Sequence, residues 1–167
     1  MIKVLKNPKT DKYLQFKKFI LSKEFAWRYN ISTNMDFYSH VFLQRPELAG
    51  YTLPNSSVTN ENLQVLAEII DHNGLYKDIP YFFLRSNANV THPDSGRQYS
   101  DPHVDHSDIP HSNLIVYLTD TDGDTIVEND RHSPKEDDVV LFTGQHYMRR
   151  PTKGRRVILI STIFGEP

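Results

Sequence analysis

The segment 101–108, DPHVDHSD, carries residue types that bind metal ions. It contains His-x-Asp in two consecutive frames, His103 with Asp105 and His106 with Asp108. Side chains two residues apart on a strand share a face, so either pair could present an imidazole and a carboxylate to one ion. On a continuous strand the two pairs would face opposite sides, so both cannot serve one site.

The residues that follow favour the first frame. Residues 107–113, SDIPHSN, form a turn cluster that contains a proline, so the second frame falls where a strand would end. His103 and Asp105 are therefore the predicted ligand pair. His106 and Asp108 are expected at the rim of the site, as candidate substrate contacts.

A third ligand is available in His146, which follows the predicted strand 138–144, DVVLFTG. An antiparallel neighbour could bring it beside the first pair. Two imidazoles and one carboxylate form the facial set of non-haem Fe(II) oxygenases, but zinc hydrolases also use two histidines and one carboxylate. Ligand type alone leaves both open. His92, His111 and His132 lie in the predicted polar turns 92–96, 107–113 and 129–135 and are read as ordinary turn residues.

Two arginines enter the last predicted strand about ten residues after His146. Arg155 and Arg156 follow a turn at Lys153 and Gly154. A buried arginine needs an anionic partner, and its planar fork suits a carboxylate. Adjacent strand residues face opposite ways, so one of the two is expected inside. Strand parity does not decide between them. Val157 and Leu159, on the same face as Arg155, and Ile158 and Ile160, on the same face as Arg156, are all apolar.

Composition limits the classes of protein that remain. The 167 residues are 38% hydrophobic and 24% charged, as expected of one ordinary globular domain. The absence of cysteine excludes disulfides, zinc–thiolate sites and iron–sulfur clusters. A net charge of −2 gives no electrostatic reason to expect nucleic acid or membrane as the main partner. No signal peptide or membrane span is recognisable, so a cytoplasmic protein is expected.

The coarse pattern divides the chain near Pro80. Before it, apolar spacing predicts one or two helices within 11–29, and a second helix capped by Thr59 and ended by Gly74. After it, short apolar or alternating runs predict strands at 81–90, 101–105, 113–119, 125–128, 137–142 and 156–164. This predicts helical support over about 1–79 and a β-sandwich or barrel over about 80–165, with a generic α+β domain as the alternative.

The order of these motifs resembles the Fe(II)- and 2-oxoglutarate-dependent dioxygenases. It runs from His-x-Asp through a strand ending Tyr-Leu, a Gly-Asp-Thr turn and an Asp-Val-Val-Leu-Phe strand to a histidine and a Gly-x-Arg strand. Within them it is most similar to the prolyl 4-hydroxylase-like branch, which includes small bacterial and phage-encoded members. The resemblance covers about 81–164. It implies a mainly β fold with N-terminal helices and a double-stranded β-helix, or jelly-roll, core.

The resemblance also assigns roles to residues. It makes His103, Asp105 and His146 the iron ligands, and it makes Arg156 the residue that binds the remote carboxylate of 2-oxoglutarate. Tyr117, in 114–118, LIVYL, matches a family tyrosine that reaches the same carboxylate, and Tyr99 is a weaker candidate. Where relatives commonly have Gly-Gly-Glu-Thr, this chain has DGDT at 122–125.

The activity implied is hydroxylation of a C–H bond with release of succinate and CO2. The cofactors implied are Fe(II) and 2-oxoglutarate, with ascorbate as a further candidate. The substrate implied is a protein, a peptide or a small molecule, with peptidyl proline as one target. The expected partners include no membrane, and the oligomeric state is open.

Three other functions remain as alternatives. One is a metal-dependent hydrolase or lyase on a similar barrel, which would need an acid or base near the metal. Another is a non-catalytic binding module, which would be expected to lack a member of the triad or the arginine. A third is nucleic-acid demethylation, with phosphate contacts from Arg149, Arg150 and Lys153. The spacing argues against nucleic acid, because that branch places its arginines further downstream.

Overall fold

The computed structural model describes residues 1–77, 79–94, 96–165 and 167. In these residues the chain is mainly β, with three helices in its first half. The helices are α1 (Asp11–Ile20), α2 (Pro46–Ala49) and α3 (Thr59–His72). The strands are β1 (Lys3–Leu5), β2 (Arg28–Ser32), β3 (Met35–Gln44), β4 (Leu53–Pro54), β5 (Phe83–Thr91), β6 (His111–Tyr117), β7 (Thr125–Val127), β8 (Asp130–His132), β9 (Val139–Phe142), β10 (His146–Met148) and β11 (Arg156–Phe164).

Two antiparallel sheets organise these strands. The larger has the order β1-β9-β6-β11-β5-β3-β2, with β4 paired to β3, and the smaller has the order β10-β7-β8. Two isolated bridges, between Tyr99 and Arg149 and between His103 and His146, bring the segment around residue 103 alongside β10. This arrangement of antiparallel sheets matches a jelly-roll-like fold.

One face of the larger sheet packs against the helices. Val157 and Leu159 on β11 lie on this face with Leu114 and Val116 on β6. Helix α1 begins at Asp11 behind an N-cap, Thr10, whose side chain accepts a hydrogen bond from Tyr13 N. Tyr13, Phe16 and Ile20 on α1 and Val65, Leu66, Ile69 and Ile70 on α3 bury their side chains in the same core. Helical spacing of apolar residues thus supplies the layer that covers this face.

The other face of the larger sheet is directed toward the interior between the two sheets. Ile158 and Ile160 on β11 lie here, in a second apolar cluster with Ile115 and Tyr117 on β6. In the register of β5 and β11, Arg156 is opposite Thr91, Ile158 opposite Asn89 and Ile160 opposite Asn87. Apolar residues of β11 therefore lie beside polar residues of β5 on this face.

The first half contains more β structure than its sequence predicted. The predicted helical segment 11–29 is helical only to Ile20, and β2 begins at Arg28. Strand β3 was not predicted, because its Asp36, Ser39 and His40 interrupt the apolar alternation. Pairing with β5, more than forty residues away, stabilises it. The expected helical support over 1–79 is thus a mixture of helices and strands.

The second half follows the prediction more closely. Strand β11 has the predicted bounds, and each end of β5, β6, β7 and β9 lies within two residues of its predicted position. The predicted strand 101–105 is instead irregular, with a single bridge at His103. Strand β8 lies inside a predicted turn, where Arg131 pairs with Ile126 across the hairpin. The predicted turn 92–96 includes position 95, which lies outside the described residues.

Candidate metal centre

The backbone brings His103 and His146 together although they are far apart in the chain. The amide of His103 donates to the carbonyl of His146 at 3.0 Å, and the amide of His146 donates to that of His103 at 2.9 Å. Directly opposed residues of an antiparallel pair have neighbouring side chains. Their ring centroids are accordingly 4.4 Å apart. The predicted convergence of the two histidines is therefore present in the structure.

Both imidazoles use Nδ1 to bind the backbone. His103 Nδ1 lies 3.0 Å from the carbonyl oxygen of Asp101, and His146 Nδ1 lies 3.2 Å from that of Gly144. A carbonyl can only accept, so each Nδ1 carries the proton in this arrangement. The Nε2 lone pair of each ring is then available to an ion, as in metal sites whose outer hydrogen bonds set the tautomer.

Asp105 completes the set from the first His-x-Asp frame. One ligand atom from each of His103, Asp105 and His146 can be chosen so that all three lie within 4.8 Å of one another. Asp105 Oδ2 is 3.5 Å from His146 Nε2. It is a buried oxygen without a hydrogen-bond partner among the described residues. Such an atom is costly unless a ligand satisfies it, and it faces the two imidazoles.

The other oxygen of Asp105 is held by arginine. Arg85 Nη1 donates a short hydrogen bond to Oδ1, and Arg45 Nη1 donates to the main-chain oxygen of Asp105 at 3.1 Å. Burial by itself raises the pKa of Asp105, but the positive charge of Arg85 and the nearby histidines reverse this and leave the pKa below its ordinary value. The carboxylate is thus charged at neutral pH.

His146 is uncharged at neutral pH, because burial disfavours its protonated form. Burial lowers the pKa of His146 to about 4, and the neighbouring Asp105 offsets only part of this effect. At neutral pH its Nε2 therefore keeps a lone pair. One charged carboxylate and two imidazoles form a donor set that suits Fe(II), Zn(II) and similar divalent ions.

A cavity of about 550 Å³ connects this cluster to Arg156. His103, Asp105 and His146 line it together with Arg156 and Thr125. Arg156 is 3% exposed, and burial lowers its pKa. Its Nε donates to the carbonyl of Gly123 at 3.1 Å and its Nη2 to Thr125 Oγ1 at 2.8 Å. No carboxylate forms an ion pair with it among the described residues, so this buried charge lacks a counterion.

Arg155, the other candidate from strand parity, is exposed. Its carbonyl oxygen accepts a hydrogen bond from Thr119 Oγ1 at 2.8 Å. The alternation of β11 thus turns Arg156 inward with Ile158 and Ile160 and leaves Arg155 in solvent.

Tyr117 lies behind Arg156. Its ring is fully buried, with the guanidinium carbon of Arg156 5.4 Å from the ring centroid. Its hydroxyl is 2.6 Å from Thr125 Oγ1, and burial raises its pKa. Thr125 lines the cavity and Tyr117 does not. The structure therefore shows Tyr117 in contact with Arg156 and Thr125, and its predicted contact with 2-oxoglutarate stays a prediction.

The second His-x-Asp frame does not lie at the rim. The ring of His106 is buried between Glu47, on Nδ1, and Thr162 Oγ1, 2.7 Å from Nε2. Asp108 is exposed on the turn and bonded to Ser107. Neither residue lines the cavity, so the expectation of rim residues was wrong. Both frames lie on an irregular segment, not on one continuous strand.

Tyr99, the weaker cosubstrate candidate, also lies outside the cavity lining. It bridges to Arg149 and its ring packs edge-on to Tyr147, with centroids 6.2 Å apart. Arg149 is paired with Asp122, and Arg150 with Asp36 and Asp94. Two of the three cations considered for phosphate contact are thus paired with carboxylates of this chain.

Sequence reasoning missed Arg85, Arg45 and Thr125. Arg85 begins a row of alternate residues on β5, followed by Asn87, Asn89 and Thr91, that lines the cavity. The alternation itself was visible, because Leu84, Ser86, Ala88 and Val90 are all small or apolar and are buried on the opposite side. Arg45 gave no periodic signal, because it lies in the connection between β3 and α2.

Comparisons with known proteins identify solved structures with a similar fold. No protein-family model matches the chain, and no curated protein sequence matches it. A 2OG-Fe(II) oxygenase family oxidoreductase from Burkholderia pseudomallei superposes with a TM-score of 0.71 at 14% identity, over 98% of this chain and 85% of that one. A prolyl hydroxylase from Trichoplax adhaerens, in complex with a hypoxia inducible factor peptide fragment, gives 0.62 at 11% identity, over 98% and 83%.

A third solved structure is the epimerase SnoN in complex with Fe3+, alpha ketoglutarate and nogalamycin RO. It gives a TM-score of 0.61 at 10% identity, over 98% of this chain and 78% of that one. At these identities the likeness concerns the fold. The chain therefore has the fold of the 2OG-Fe(II) oxygenases, prolyl hydroxylases among them. Within the described residues, each helix falls short of the length and apolar character needed to cross a membrane.

Proposed function

We propose that this protein is an Fe(II)- and 2-oxoglutarate-dependent oxygenase that hydroxylates a C–H bond. One observation carries the proposal. The cavity lined by His103, Asp105 and His146 is also lined by Arg156, a buried cation without a carboxylate partner among the described residues. A metal ion and a dicarboxylate are the two ligands that this pair of features would satisfy.

The residues fit a divalent ion. Two Nε2 atoms and Asp105 Oδ2 supply three donors, and Oδ2 is otherwise an orphaned buried oxygen. Arg85 occupies Oδ1, so the carboxylate would bind through one oxygen. Three protein ligands leave positions for further ligands, as facial-triad iron sites do.

The residues also fit 2-oxoglutarate. Arg156 offers a charged guanidinium to a carboxylate, and Thr125 Oγ1 stands 2.8 Å from it. Ile115, Ile158 and Ile160 give this part of the cavity apolar walls. A dicarboxylate with one end at Arg156 would neutralise a charge that is otherwise costly to bury.

In the proposed mechanism, iron and 2-oxoglutarate would supply the oxidising chemistry with O2 as the oxidant: one oxygen atom of O2 enters succinate as 2-oxoglutarate loses CO2, and the other converts a substrate C–H to C–OH. The chain supplies position and environment. Arg85 fixes the carboxylate of Asp105, and the backbone carbonyls at positions 101 and 144 orient the two imidazoles. The isoleucines of β6 and β11 exclude water from the cosubstrate end of the cavity.

The rival functions receive less support. A hydrolase or lyase would need a second acid or base beside the metal, and Asp105 is the only carboxylate among the described residues that line the cavity. A non-catalytic module would be expected to have lost part of the triad or Arg156, and all four residues are present.

The proposal also covers the domain organisation and the substrate. We propose that residues 1–167 form one domain with a double-stranded β-helix core. The substrate is proposed to be a peptide or small molecule, with peptidyl proline as one candidate target. The prolyl hydroxylase neighbour with a bound peptide fragment supports a peptide. A role for ascorbate stays a prediction.

An anaerobic titration tests the proposal. Fe(II) is added to the protein with 2-oxoglutarate, and the weak visible charge-transfer band of the iron chelate is followed. We expect the band in the wild type and its loss in His103→Ala and His146→Ala, with His132→Ala as the matched control. Absence of the band in the wild type, or its survival in both ligand variants, would contradict the proposal.

A further inference from the structure

Among the described residues that line the cavity, positively charged side chains outnumber negatively charged ones. Among the described residues they are three arginines, Arg45, Arg85 and Arg156, against one carboxylate, Asp105. A divalent ion and doubly negative 2-oxoglutarate cancel one another, so the loaded cavity would keep an excess of two positive charges. A cleft with an excess of one sign concentrates ligands of the other sign.

Arg45 is the most exposed of the three arginines, and it has free donors. Arg85 holds Asp105, and Arg156 is assigned to 2-oxoglutarate. Arg45 Nη1 donates to the main-chain oxygen of Asp105 at 3.1 Å, but its Nη2 is 3.7 Å from Oδ1, beyond hydrogen-bond range. Nη2 and Nε have no other hydrogen-bond partner among the described residues, and the side chain is 31% exposed. A guanidinium with two free N–H groups can still bind an anion.

Besides Asp105, the acidic residue near Arg45 is Glu47, which is engaged elsewhere. Glu47 follows Arg45 by two residues, but its carboxylate accepts from Nδ1 of His106. Glu47 is not among the residues that line the cavity. The charge of Arg45 is therefore offset mainly by Asp105, which Arg85 and a metal ion would also share.

Exposed apolar side chains are among the residues that line the cavity together with Arg45. Leu48, Val104 and Ile31 line the cavity and are exposed. Exposed apolar side chains around an opening mark a surface that a ligand covers. A ligand that used both features would carry an anionic group next to an apolar part.

We propose that the primary substrate carries a carboxylate that binds Arg45, with its adjoining apolar part against Leu48 and Val104. This inference rests on the proposed oxygenase function, because it assumes that Asp105 holds the metal and Arg156 the cosubstrate. It narrows the substrate class to acids, whether free small acids or peptides with a carboxylate near the reacting residue.

Calorimetric titration of the loaded protein tests the inference. The protein is loaded with Mn(II) and saturating 2-oxoglutarate, so that Arg156 is occupied and no turnover occurs. Three carboxylate probes are titrated against their neutral amides: hexanoate and hexanamide, benzoate and benzamide, and N-acetyl-L-proline and N-acetyl-L-prolinamide. We expect at least one acid to bind at least about tenfold more tightly than its amide, as for other charge-assisted contacts.

Variants assign the preference to Arg45. Arg45→Met and Arg45→Gln should abolish it, whereas Arg28→Met, which removes an exposed arginine of β2, should keep it. Equal binding of every acid and its amide by the wild type would overturn the inference, and so would a preference that survives in either neutral Arg45 variant. Two neutral variants are used so that one remains if the other fails to load.

The loading step separates this inference from the proposed function. If Mn(II) and 2-oxoglutarate fail to bind the wild type, the proposed function itself fails. If both bind and no acid is preferred, only the carboxylate subsite is wrong. A second pair of probes, acetyl-Ala-Pro-Glu-Ala-amide and its glutamine counterpart, distinguishes the sources. A preference for the glutamate peptide indicates a peptide substrate, and a preference confined to the small acids indicates a free acid.

Discussion

Arg85 and Asp105 form an ion pair that is almost closed to solvent, with side-chain exposures of 12% and 3%. The pair uses Oδ1 and leaves Oδ2 facing His146. Arg85 comes from β5 of the larger sheet, whereas Asp105 follows the bridge to β10. One contact thus links the larger sheet to the candidate metal ligands and determines which carboxylate oxygen is free.

Replacement of Arg85 by methionine should destabilise the metal-free protein. Removal of one partner of a buried pair costs about 3–5 kcal/mol when the remaining charge is uncompensated. The cost here should lie at or below the lower end of that range, because Arg45 Nη2 stays 3.7 Å from Asp105 Oδ1. Added Mn(II) would neutralise Asp105 in its place, so the rise in Tm on metal addition should be larger in Arg85→Met than in the wild type. Differential scanning calorimetry with and without Mn(II) measures both effects.

The controls are Arg85→Lys, which keeps the charge and should lie nearer the wild type, and Arg28→Met, which should change little. An Arg85→Met protein as stable as the wild type without metal would show that Asp105 does not depend on this partner.

Arg156 and Arg155 offer a matched comparison of neighbours. Arg156→Ala should weaken 2-oxoglutarate binding by about 100-fold, since truncation of one partner of a buried charge pair typically costs 2–5 kcal/mol. Arg155→Ala should have little effect, because this side chain is exposed. Anaerobic titration of the Mn(II)-loaded proteins with 2-oxoglutarate measures the two constants. Equal losses in the two variants would refute the assignment of Arg156.

Gly123 sets the position of Arg156. Its carbonyl accepts from Arg156 Nε at 3.1 Å, and a Cβ at this position would lie 2.9 Å from Arg156 Cδ and 2.9 Å from the carbonyl oxygen of Arg149. Gly123→Ala should displace the guanidinium and weaken 2-oxoglutarate binding at least about tenfold, since a hydrogen bond to a charged group contributes about 1.5–3 kcal/mol.

Metal binding should be unchanged in Gly123→Ala, because the triad does not contact this turn. Gly154→Ala serves as the control for a nearby glycine, since a Cβ there meets nothing within 4 Å, although its φ of +64° adds local strain. Unaltered 2-oxoglutarate affinity in Gly123→Ala would argue that Arg156 can shift without loss.

The contacts of Asp137, which lies outside the lining of the candidate metal centre, lead us to predict that the stability of the protein depends on pH. Its carboxylate accepts from Tyr13 and pairs with Lys17 and Lys9, at 2.5, 2.5 and 2.9 Å. Burial alone would raise the pKa of Asp137, but hydrogen bonds from these partners outweigh it and lower the pKa. A lowered folded-state pKa means that the contribution to stability is present above the unfolded pKa and is lost as the pH falls through the folded value.

Asp137→Asn should therefore lower the free energy of unfolding by about 1.5–3 kcal/mol at pH 7, the typical contribution of a hydrogen bond to a charged group. The difference from the wild type should shrink as the pH falls below about 4, where the unfolded aspartate takes up a proton. Asparagine tolerates the φ of 69° at this position. Urea unfolding at pH 7 and pH 3 measures the change, and a difference that grows toward pH 3 would contradict the assignment.

Much of the candidate site could be predicted from local sequence. The two-residue spacing of His103 and Asp105, the turn that follows them and the strand before His146 were enough to select the three candidate ligands. The alternation of β11 limited the proposed cosubstrate-binding arginine to two neighbours. These features depend on residue types a few positions apart, which strand geometry relates directly.

Predictions from local sequence were wrong where contacts between distant residues determine the structure. His106 has the same spacing to Asp108 as His103 has to Asp105, yet it is buried against Glu47 and Thr162, residues 59 and 56 positions away. Phe25 continues the helical spacing of Phe16, Phe19 and Ile20 in the sequence, yet it packs against His40 and Phe42 of β3. Such contacts override propensity because burial and pairing with distant residues contribute more than local preference.

The sequence by itself determined the donor types, their order along the chain and the likeness to a class of oxygenases. Only the tertiary structure decided that Arg85 binds Asp105, that Arg156 and not Arg155 faces the cavity, and that Arg45 lies beside the triad. The physical reason is that each of these facts depends on the register between strands far apart in sequence. Hydrogen bonding and burial across the whole sheet set that register.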